Sequence, residues 1–304
     1  MGTWARTAAT AVTLGAGTAA YGAVVERNAF TVRRFDVPVL APGASPIRIL
    51  HVSDLHITPR QHRKQEWIRG LAALQPDLVV NTGDTLSAVD GIPAVLDALE
   101  PLRAFPGVFV PGNNDYWEPR PKSPTRYFGR PQGPAPAGTP LPWPELARAL
   151  TRAGWLDLTH ERTVLSVGGA DVALTGVDDP HLRKVRYELV AGPADDDAAV
   201  RIGVTHSPEP FVLREFAADG YDLVLAGHTH GGQVRLPFGP ALVTNCGIER
   251  DRARWLHRWD DREDTGAERP MWFHVCAGLG TNPFTPLRFC CRPEASLLTL
   301  VPRA

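Results

Sequence analysis

Two features of the sequence predict an α/β protein. Short β-branched runs recur along the chain, and each carries its polar residues at its C-terminal end. These runs alternate with stretches of helical periodicity, of which 61–74 places Trp67, Ile68 and Leu71 on one face and 92–105 is a second. Alternation of strand and helix favours parallel strands joined by right-handed crossover connections.

The stretch 222–233, with the sequence DLVLAGHTHGGQ, is the most informative in the chain. Residues 222–226 form a short apolar run that is typical of a buried strand. A turn bounded by glycines follows, and it can aim the imidazoles of His228 and His230 at one point, because glycine adopts the positive φ angles that such a turn needs. Either ring alone could be a hydrogen-bonded histidine of the core, so the prediction of a metal site depends on further ligands.

Four other predicted strands deliver such ligands at or just beyond their C-terminal ends. These strands cover residues 47–55, 77–81, 107–110 and 201–205. The polar residues that follow them are Asp54, His56, Asp84, Asn113, Asn114, Asp115 and His206. Open α/β sheets bind ligands outside the carboxyl ends of their strands, so the fold would bring these side chains together. The sequence therefore favours a metal site over a set of unrelated core histidines.

The donor types indicate which metals such a site would take. Carboxylate, imidazole and amide donors together suit hard and borderline divalent metals. The carboxylate of Asp84 has two oxygens and can bridge two ions about 3.5–4 Å apart. Because no thiolate is among the candidates, we expect two divalent transition metal ions, Mn²⁺, Fe or Zn²⁺, rather than Cu(I). Magnesium rarely accepts several imidazoles and is less suited.

The composition is that of an ordinary folded protein of 304 residues, which suits one large α/β unit. A formal net charge of -1 argues against a general nucleic-acid binder, which needs a basic surface. The cysteines lack C-x-x-C spacing, so we expect buried thiols rather than a zinc knuckle. If the protein is exported, a disulfide between Cys246 and Cys276 is an alternative. The sequence indicates no oligomeric state.

Residues 1–29 are predicted to form a membrane anchor or signal segment that precedes a domain of residues 30–304. The stretch 7–25 is apolar, uncharged and about long enough to span a bilayer. It could be an anchor in the cell membrane, a cleaved signal peptide or a helix packed on the domain. Only Arg6 precedes it and several arginines follow, so the positive-inside rule favours the cytoplasmic side and leaves an exported form open.

A long segment without predicted structure covers residues 116–144. It holds nine prolines and the basic residues Arg120, Lys122, Arg126 and Arg130. Because it leaves the chain directly after the Asn113 ligand, we expect it near the metal site, as a basic lid or a membrane-facing collar. Arg120 and Arg126 would then contact substrate. A solvated linker is the alternative.

The rest of the chain predicts a helix at 143–153 and a second sheet with more antiparallel strands. Its expected strands are 156–158, 163–167, 172–175, 234–236, 241–244 and 271–276. Residues 251–268 are expected to form a charged loop or hairpin tip, and a final strand covers 294–301. The turn 176–180 holds Asp178 and Asp179, which we expect to cap it.

The polar motifs, taken together, resemble the calcineurin-like metallophosphoesterase superfamily. They are VSDLH at 52–56, TGD at 82–84, GNND at 112–115, TH at 205–206 and GHTHGGQ at 227–233. The extension GHTHGGQVRLP, the GLGT at 278–281, residues 286–288 and the RPE at 292–294 resemble its membrane-linked bacterial branch. That branch includes YkuE-type esterases and enzymes similar to UDP-2,3-diacylglucosamine pyrophosphatase.

The resemblance implies a four-layer α/β/β/α sandwich of two mixed sheets flanked by helices, with a two-metal site. By position, Asp54, His56, Asp84 and His230 would hold the first metal. Asp84, Asn113, His206 and His228 would hold the second. A metal-bridging hydroxide would attack phosphorus in line with the leaving group, and Arg288 is a further candidate for substrate contact.

One position departs from the family pattern, because Asn114 stands where the family usually has a histidine. That histidine is thought to protonate the leaving oxygen or stabilise the transition state. Asn donates a hydrogen bond but gives up no proton near neutral pH, and general acid help is worth about 10²–10⁴ in rate. We expect Asn114 and Asp84 to be catalytic residues. Because Asn114 replaces the histidine, we expect the enzyme to prefer diphosphates or activated esters as substrates. His160 and His181 are the first alternatives for the missing acid.

The sequence thus predicts a metal-dependent phosphoesterase that hydrolyses a phosphodiester or pyrophosphate bond. Its substrate would be a phosphorylated small molecule, lipid-linked or nucleotide-linked. Two alternatives stay open. One is a metal-binding scaffold that has lost catalysis, with Asn114 as the mark of that loss. The other is an exported general phosphodiesterase or phosphomonoesterase.

Overall fold

The computed structural model describes residues 13, 15–121, 138–260 and 270–303. Two mixed sheets of six strands each are flanked by helices, so the predicted α/β class is confirmed. In chain order the strands are β1 (Thr31–Leu40), β2 (Ile47–Val52), β3 (Leu78–Asn81), β4 (Gly107–Phe109), β5 (Leu156–Asp157), β6 (Glu161–Val167), β7 (Ala170–Gly176), β8 (Val200–Val204), β9 (Leu223–Ala226), β10 (Trp255–Trp259), β11 (Met271–Val275) and β12 (Glu294–Pro302).

The helices lie in the connections between strands. Residues 15–20 are helical, and the α-helices after β1 are α1 (His62–Arg69), α2 (Ile92–Leu99), α3 (Asn113–Tyr116), α4 (Trp143–Arg152) and α5 (Pro210–Ala218). Short 3-10 turns cover Glu26–Asn28, Gly70–Leu74, Glu100–Ala104, Tyr187–Leu189, His230–Gly232 and Arg250–Arg252, and Tyr21–Val25 is a π-helical turn. The predicted helices 61–74 and 92–105 therefore each end in a 3-10 turn.

Each of the two sheets contains four strands that run parallel to one another. The first sheet has the order β1-β12-β2-β3-β4-β5 and the second β10-β11-β9-β8-β7-β6. Strands β2 to β5 run parallel, as do β7, β8, β9 and β11. The second sheet has two antiparallel pairs, β6–β7 and β10–β11, against one in the first, so it is the more antiparallel sheet as predicted.

Three apolar cores separate four layers. On β2, Leu50 and Val52 pack against the helices α1, α2 and α4, whereas Ile47 and Ile49 pack against the second sheet. This alternation follows from the two-residue period of a strand. The outer face of the second sheet is covered by α5, where Phe216 is fully buried. The four-layer sandwich is therefore the observed architecture.

Two predictions about the second sheet were wrong. Residues 234–236 and 241–244 do not join it, because the prolines and glycine between them allow only isolated bridges, such as that between Arg235 and Ala241. Conversely, β10 lies inside the stretch 251–268 that was predicted as a loop. Its sequence WLHRW hides the strand because an edge strand tolerates charged side chains.

The end of the predicted anchor contacts the domain. Gly22 packs against Leu287 and Arg288, and the buried Glu26 accepts a hydrogen bond from the backbone N–H of Cys291 at 2.5 Å. Residues 7–12 and 14 of the predicted span lie outside the described residues. Within the parts of the chain that the structure describes, no helix has the length and apolarity that crossing a membrane requires.

The predicted lid and the cysteines have the following positions. Residues 122–137 of the lid, which include Lys122, Arg126 and Arg130, lie outside the described residues, and Arg120 is exposed.

All four cysteines are free thiols; Cys276 and Cys291 are buried, as expected, whereas Cys246 and Cys290 are partly exposed.

A buried carboxylate at the start of β9 supplies a test of the fold. Asp222 accepts hydrogen bonds from Arg201 Nε at 2.9 Å and from Arg303 Nη2 at 2.6 Å. Asp222→Ala leaves the largely buried Arg201 without this partner, so we expect the free energy of unfolding to fall by about 3 kcal/mol. Urea unfolding measures the change.

Asp196→Ala is the matched control. Asp196 also pairs with Arg201, at 2.8 Å, but its side chain is 87% exposed. Solvent screens an exposed pair, so its loss should change the unfolding midpoint little. Equal losses in the two variants would contradict the prediction.

Candidate metal centre

Five loops meet at one end of the molecule, directly after β2, β3, β4, β8 and β9. The first three leave the first sheet and the last two leave the second, so the site lies where the two sheets face each other. Most of the predicted ligands here have positive φ angles, namely Asp54 (49°), His56 (43°), Asp84 (52°), His228 (66°) and His230 (51°). This conformation costs a non-glycine residue on the order of 1–3 kcal/mol, and such strain clusters at functional sites.

Glycines allow the loops to approach one another. A Cβ atom on Gly227 would overlap Ser53 Oγ, and a Cβ atom on Gly112 would overlap Asp84 Oδ1. Any larger residue at either position would push the ligand loops apart. The glycines of the GNND and GHTHGGQ motifs are therefore required by the close packing of the site.

Two pairs of imidazoles face each other in the site. His56 Nε2 lies 3.2 Å from His230 Nε2, and the two rings stack with centroids 5.0 Å apart. On the other side, His206 Nε2 lies 3.2 Å from His228 Nδ1. Lone pairs at this distance repel each other unless a proton or a metal ion lies close to both nitrogens. The arrangement therefore favours a cation beside each pair.

The carboxylate of Asp84 lies between the two pairs. Its Oδ2 is 3.5 Å from His56 Nε2, and its Oδ1 is 3.5 Å from His206 Nε2. Each oxygen therefore faces a different imidazole pair, as a carboxylate shared by two ions would. The side chain is buried, which strengthens its attraction to nearby cations.

The second nitrogen of each imidazole has a hydrogen-bond partner outside the site. These partners are Ser87 Oγ for His56 (2.9 Å), Thr82 O for His206 (2.7 Å), Asn245 O for His228 (3.3 Å) and Gly280 O for His230 (3.3 Å). A carbonyl only accepts, so the histidines that contact carbonyls donate from this nitrogen. The other nitrogen of His228 and of His230 then carries a lone pair directed into the site, as metal-binding histidines require.

Burial keeps three of the imidazoles neutral. It lowers the pKa of His56 to about 4, and it lowers the pKa values of His228 and His230 well below their ordinary value. These three rings are therefore unprotonated near pH 7, and a neutral imidazole is the form that binds a metal.

Asp84 and His206 form a charged pair. Burial opposes both charges, yet their mutual attraction and hydrogen bonding hold the pKa of Asp84 well below, and raise that of His206 well above, the ordinary values. Binding of a metal by His206 would therefore release a proton. Burial also raises the pKa of Asp54 to about 6, so that this carboxyl is mostly ionised at pH 7.

The residues present fit divalent metal ions. Asp54, His56, Asp84 and His230 each offer one ligand atom, and these atoms lie within 4.8 Å of one another. Within the described residues, Asp54 Oδ1 and Asn113 Oδ1 are buried without a hydrogen-bond partner. Buried polar atoms are normally satisfied, so these two acceptor oxygens are suited to hold a cation.

Asn114 contacts the central carboxylate. Its backbone N–H donates to Asp84 Oδ1 at 2.7 Å, and its side-chain amide donates to Asp84 Oδ2 at 2.6 Å. Both hydrogen bonds favour the ionised carboxylate, and the one from the Asn114 side chain contributes to the low pKa of Asp84. In this structure Asn114 therefore supports the carboxylate at the centre of the site.

Sequence reasoning did not predict the roles of two residues that hold the ligand loops. Asp115 is buried and accepts hydrogen bonds from the backbone N–H groups of Thr85 (2.8 Å) and Gly112 (2.9 Å), which ties the loops after β3 and β4 together. Lys64 on α1 is buried and donates to the carbonyls of Leu55 and His56, the latter at 2.9 Å. A lysine in a helical stretch normally faces solvent, so nothing in the sequence indicated this role.

A turn from the C-terminal part of the chain packs on the loop after β2. The backbone N–H of Gly280 donates to Asp54 O at 2.6 Å, and that of Leu279 donates to Ser53 O at 3.2 Å. A Cβ atom on Gly280 would lie 2.6 Å from His56 Cβ, so only glycine fits there. This turn was recognised in the sequence as GLGT but without a structural role.

Arg288, a predicted substrate contact, is fully buried. Its guanidinium donates to the carbonyls of Ala277 at 2.7 Å and Gly280 at 2.8 Å, and a further bond of 3.3 Å reaches the carbonyl of His230. The same Gly280 carbonyl accepts the hydrogen bond from His230 Nδ1. Arg288 therefore holds the turn that orients the His230 ring.

The two histidines considered as alternative acids have different positions. His160 Nε2 accepts hydrogen bonds from the backbone N–H groups of Asp178 at 3.4 Å and Arg186 at 3.0 Å, so this ring supports a loop. The ring of His181 lies 4.5 Å from that of His228, next to the site. Only His181 is thus brought to the centre.

The role of Arg288 can be tested through metal affinity. Arg288→Met removes the donors that fix the Gly280 carbonyl, so His230 loses its orientation and we expect the affinity for added Mn²⁺ to fall by about 10–100-fold. Arg235→Met is the matched control, because Arg235 is also buried but donates to the carbonyl of Gly231, at 3.0 Å.

Competition with a chelator measures the affinity of both variants. The rise of the unfolding temperature on adding Mn²⁺ gives a second readout that needs no substrate. Wild-type affinity in Arg288→Met, or an equal loss in Arg235→Met, would show that Arg288 serves the fold alone.

Known proteins with similar sequences share this domain. The model of the calcineurin-like phosphoesterase family matches residues 47–232, which include all seven predicted ligands. The uncharacterized protein YpbG of Bacillus subtilis is 28% identical over 264 residues, covering 85% of this chain and 82% of that protein. The phosphodiesterase YaeI of Escherichia coli is 26% identical, covering 90% and 88%. The uncharacterized metallophosphoesterase YkuE of Bacillus subtilis is 25% identical, covering 91% and 86%.

The family match spans more than half of the chain, and it includes the four residues whose side chains meet in the buried Asp/His cluster. The family resemblance of the sequence motifs is thereby confirmed. The prediction of an enzyme, rather than a scaffold, is also confirmed. The chain belongs to the calcineurin-like phosphoesterase family and is a hydrolase of phosphoester bonds.

Proposed function

We propose that this enzyme uses two divalent metal ions to hydrolyse a phosphodiester or pyrophosphate bond of a lipid-linked or nucleotide-linked substrate. The observation that carries the proposal is the position of Asp84 between two facing imidazole pairs. One ion would be held by Asp54, His56, Asp84 and His230, and the other by Asp84, Asn113, His206 and His228.

The chain's own residues would prepare the site for reaction. Paired divalent ions polarise a phosphoryl oxygen and make hydroxide available from water near neutral pH. The unprotonated nitrogens of His56, His228 and His230 supply ligands without adding charge, while the carboxylates balance part of the charge of the ions. Burial of these groups lowers the local dielectric constant and strengthens each interaction.

The environment of Asn114 supports a preference among substrates. An amide gives up no proton near neutral pH, and both donors of Asn114 are already directed at Asp84. Leaving groups that depart without a proton would therefore react best. A phosphate released from a pyrophosphate is such a group, as is an aryloxide, whereas a simple alkoxide is not.

A membrane location would suit a lipid-linked substrate. The apolar stretch 7–25 precedes the domain, and its last residues contact the segment that carries Arg288. We propose that this stretch holds the enzyme at the cell membrane with the domain on the cytoplasmic side.

The shared role of Asp84 predicts how metal binding fails. Asp84→Ala removes the carboxylate that both ligand sets use, so purified protein loaded with Mn²⁺ should fall from about two ions per chain to almost none. Asp178→Asn is the matched control, because Asp178 accepts a hydrogen bond from Tyr116 at 2.9 Å beside the site but belongs to neither set. Full metal content in Asp84→Ala would refute the shared role.

The absence of a proton donor at position 114 predicts a steep dependence of rate on the leaving group. Asn114→His should accelerate alkyl phosphodiesters by about 10²–10⁴ and change pyrophosphate cleavage little. The test compares aryl and alkyl diesters and a pyrophosphate with both proteins at several pH values.

Asn114→Ala is the control for this experiment. It removes the hydrogen bond from the Asn114 side chain to Asp84 without adding an acid. A loss of rate that occurs in both Asn114→Ala and Asn114→His is therefore due to the loss of this hydrogen bond. Equal acceleration of all substrates by the histidine would mean that another group already protonates the leaving oxygen. His181 would then be the first residue to replace.

A further inference from the structure

Large apolar side chains are exposed on three neighbouring segments. Phe238 is fully exposed, at 112%, on a tight hairpin with the sequence LPFGP. The other members of the set, which we call the apolar rim together with Phe238, are Tyr21, Val24, Val25, Leu236, Leu242 and Phe284. Single exposed apolar residues are ordinary, but a set on adjoining segments marks an interaction site.

Backbone hydrogen bonds place the three segments side by side. Phe289 donates to the carbonyl of Gln233 at 2.8 Å, and Arg235 donates to the carbonyl of Phe289 at 3.0 Å, so the hairpin lies against residues 284–289. On the other side of these residues, Arg288 donates to the carbonyl of Gly22 at 3.3 Å. Residues 284–289 therefore connect the N-terminal segment to the hairpin.

The apolar rim borders one half of the metal centre. Its hairpin begins directly after His230, and the side chain of Gln233 reaches the carbonyl of Thr285 at 3.5 Å. Arg288, in the middle segment, donates to the carbonyl of His230. The rim is thus next to the His56–His230 pair.

We infer that the apolar rim docks the enzyme on a lipid bilayer. The uncharged stretch 7–25 leads directly into it, since residues 15–20 are an exposed helix that continues into Tyr21–Val25. Arginines also surround it: Arg27 donates to Pro286 O at 3.5 Å and Arg250 to Leu242 O at 3.5 Å, and Arg292, which is exposed, donates to Ala29 O at 2.7 Å. Apolar side chains flanked by cations match the acyl chains and anionic head groups of a bilayer.

The docking surface rests on the proposed function, because a lipid-linked substrate would reach the site from the bilayer. With the rim in the membrane, the acyl chains of that substrate would stay among lipids. Its phosphoryl group would then approach the centre from the His56–His230 side. The enzyme would not have to extract the whole lipid into water.

Fluorescence quenching in vesicles tests the docking surface with the full chain. Phe238→Cys is labelled with bimane and mixed with phosphatidylcholine–phosphatidylglycerol vesicles that carry brominated acyl chains. Val164→Cys is the matched control, because Val164 is also exposed, at 47%, but lies on β6 at the edge of the second sheet opposite β10. The unsubstituted chain gives the background from native cysteines.

The label at position 238 should lose most of its fluorescence, and the label at 164 should keep it. Added salt, or vesicles without phosphatidylglycerol, should weaken the loss because the arginines would be screened or lack their anionic partners. A bound chain with unquenched bimane at 238, equal quenching at both positions, or no vesicle binding would overturn the docking surface. Burial of position 238 on concentration without lipid would assign the rim to a second copy of the chain instead.

A soluble substrate separates this outcome from a failure of the proposed function. Phe238→Ser should hydrolyse a soluble aryl phosphodiester at the wild-type rate, since Phe238 belongs to neither ligand set. If wild-type enzyme shows no such hydrolysis, the proposed function fails whatever the vesicles show. If hydrolysis is normal and quenching is absent, only the docking surface fails.

Discussion

The buried carboxylate of Asp84 is the interaction on which the rest of the site depends. It lies between two imidazole pairs in which the facing nitrogens are 3.2 Å apart. Uncompensated charges and lone pairs are costly in a buried site, so the arrangement is stable only with cations beside it. Asn114 donates to both oxygens of Asp84 and thereby favours its ionised form. The negative charge of Asp84 attracts the cations that the remaining predicted ligands would bind.

The two sheets make this arrangement possible by fixing the start of every ligand loop. Five ligands have positive φ angles, each at a cost on the order of 1–3 kcal/mol. A loop on a mobile support would relax and move its ligand away. Here each loop begins at the end of a buried strand, such as β2, β3 or β9, whose side chains pack in the apolar cores. The packing of the apolar cores therefore offsets the conformational cost of these loops.

Local patterns identified the residues that meet in the buried Asp/His cluster, but they did not identify the residues that support this cluster. Asp54, His56 and His230 could be found because each follows a short apolar run in a recognisable motif. The supporting roles of Lys64 and Arg288 could not be found, because their partners are backbone carbonyls of other segments and carbonyls have no sequence signature. The strand β10 was missed for a related reason, since an edge strand is specified by its neighbour β11 rather than by its own apolar pattern. What the sequence hides is mainly what depends on contacts distant along the chain.

The candidate site is built from two separate parts of the chain. The matched region, 47–232, contains every predicted ligand, whereas residues 278–292 lie beyond it. That later segment orients His230 through Gly280, contacts the N-terminal segment through the bond from Cys291 to Glu26, and carries part of the apolar rim. A change there would leave the predicted ligand residues in place but would alter the orientation of the His230 ring. The residues of the Asp/His cluster and the segment that orients one of them thus lie in separate parts of the chain, which meet at His230.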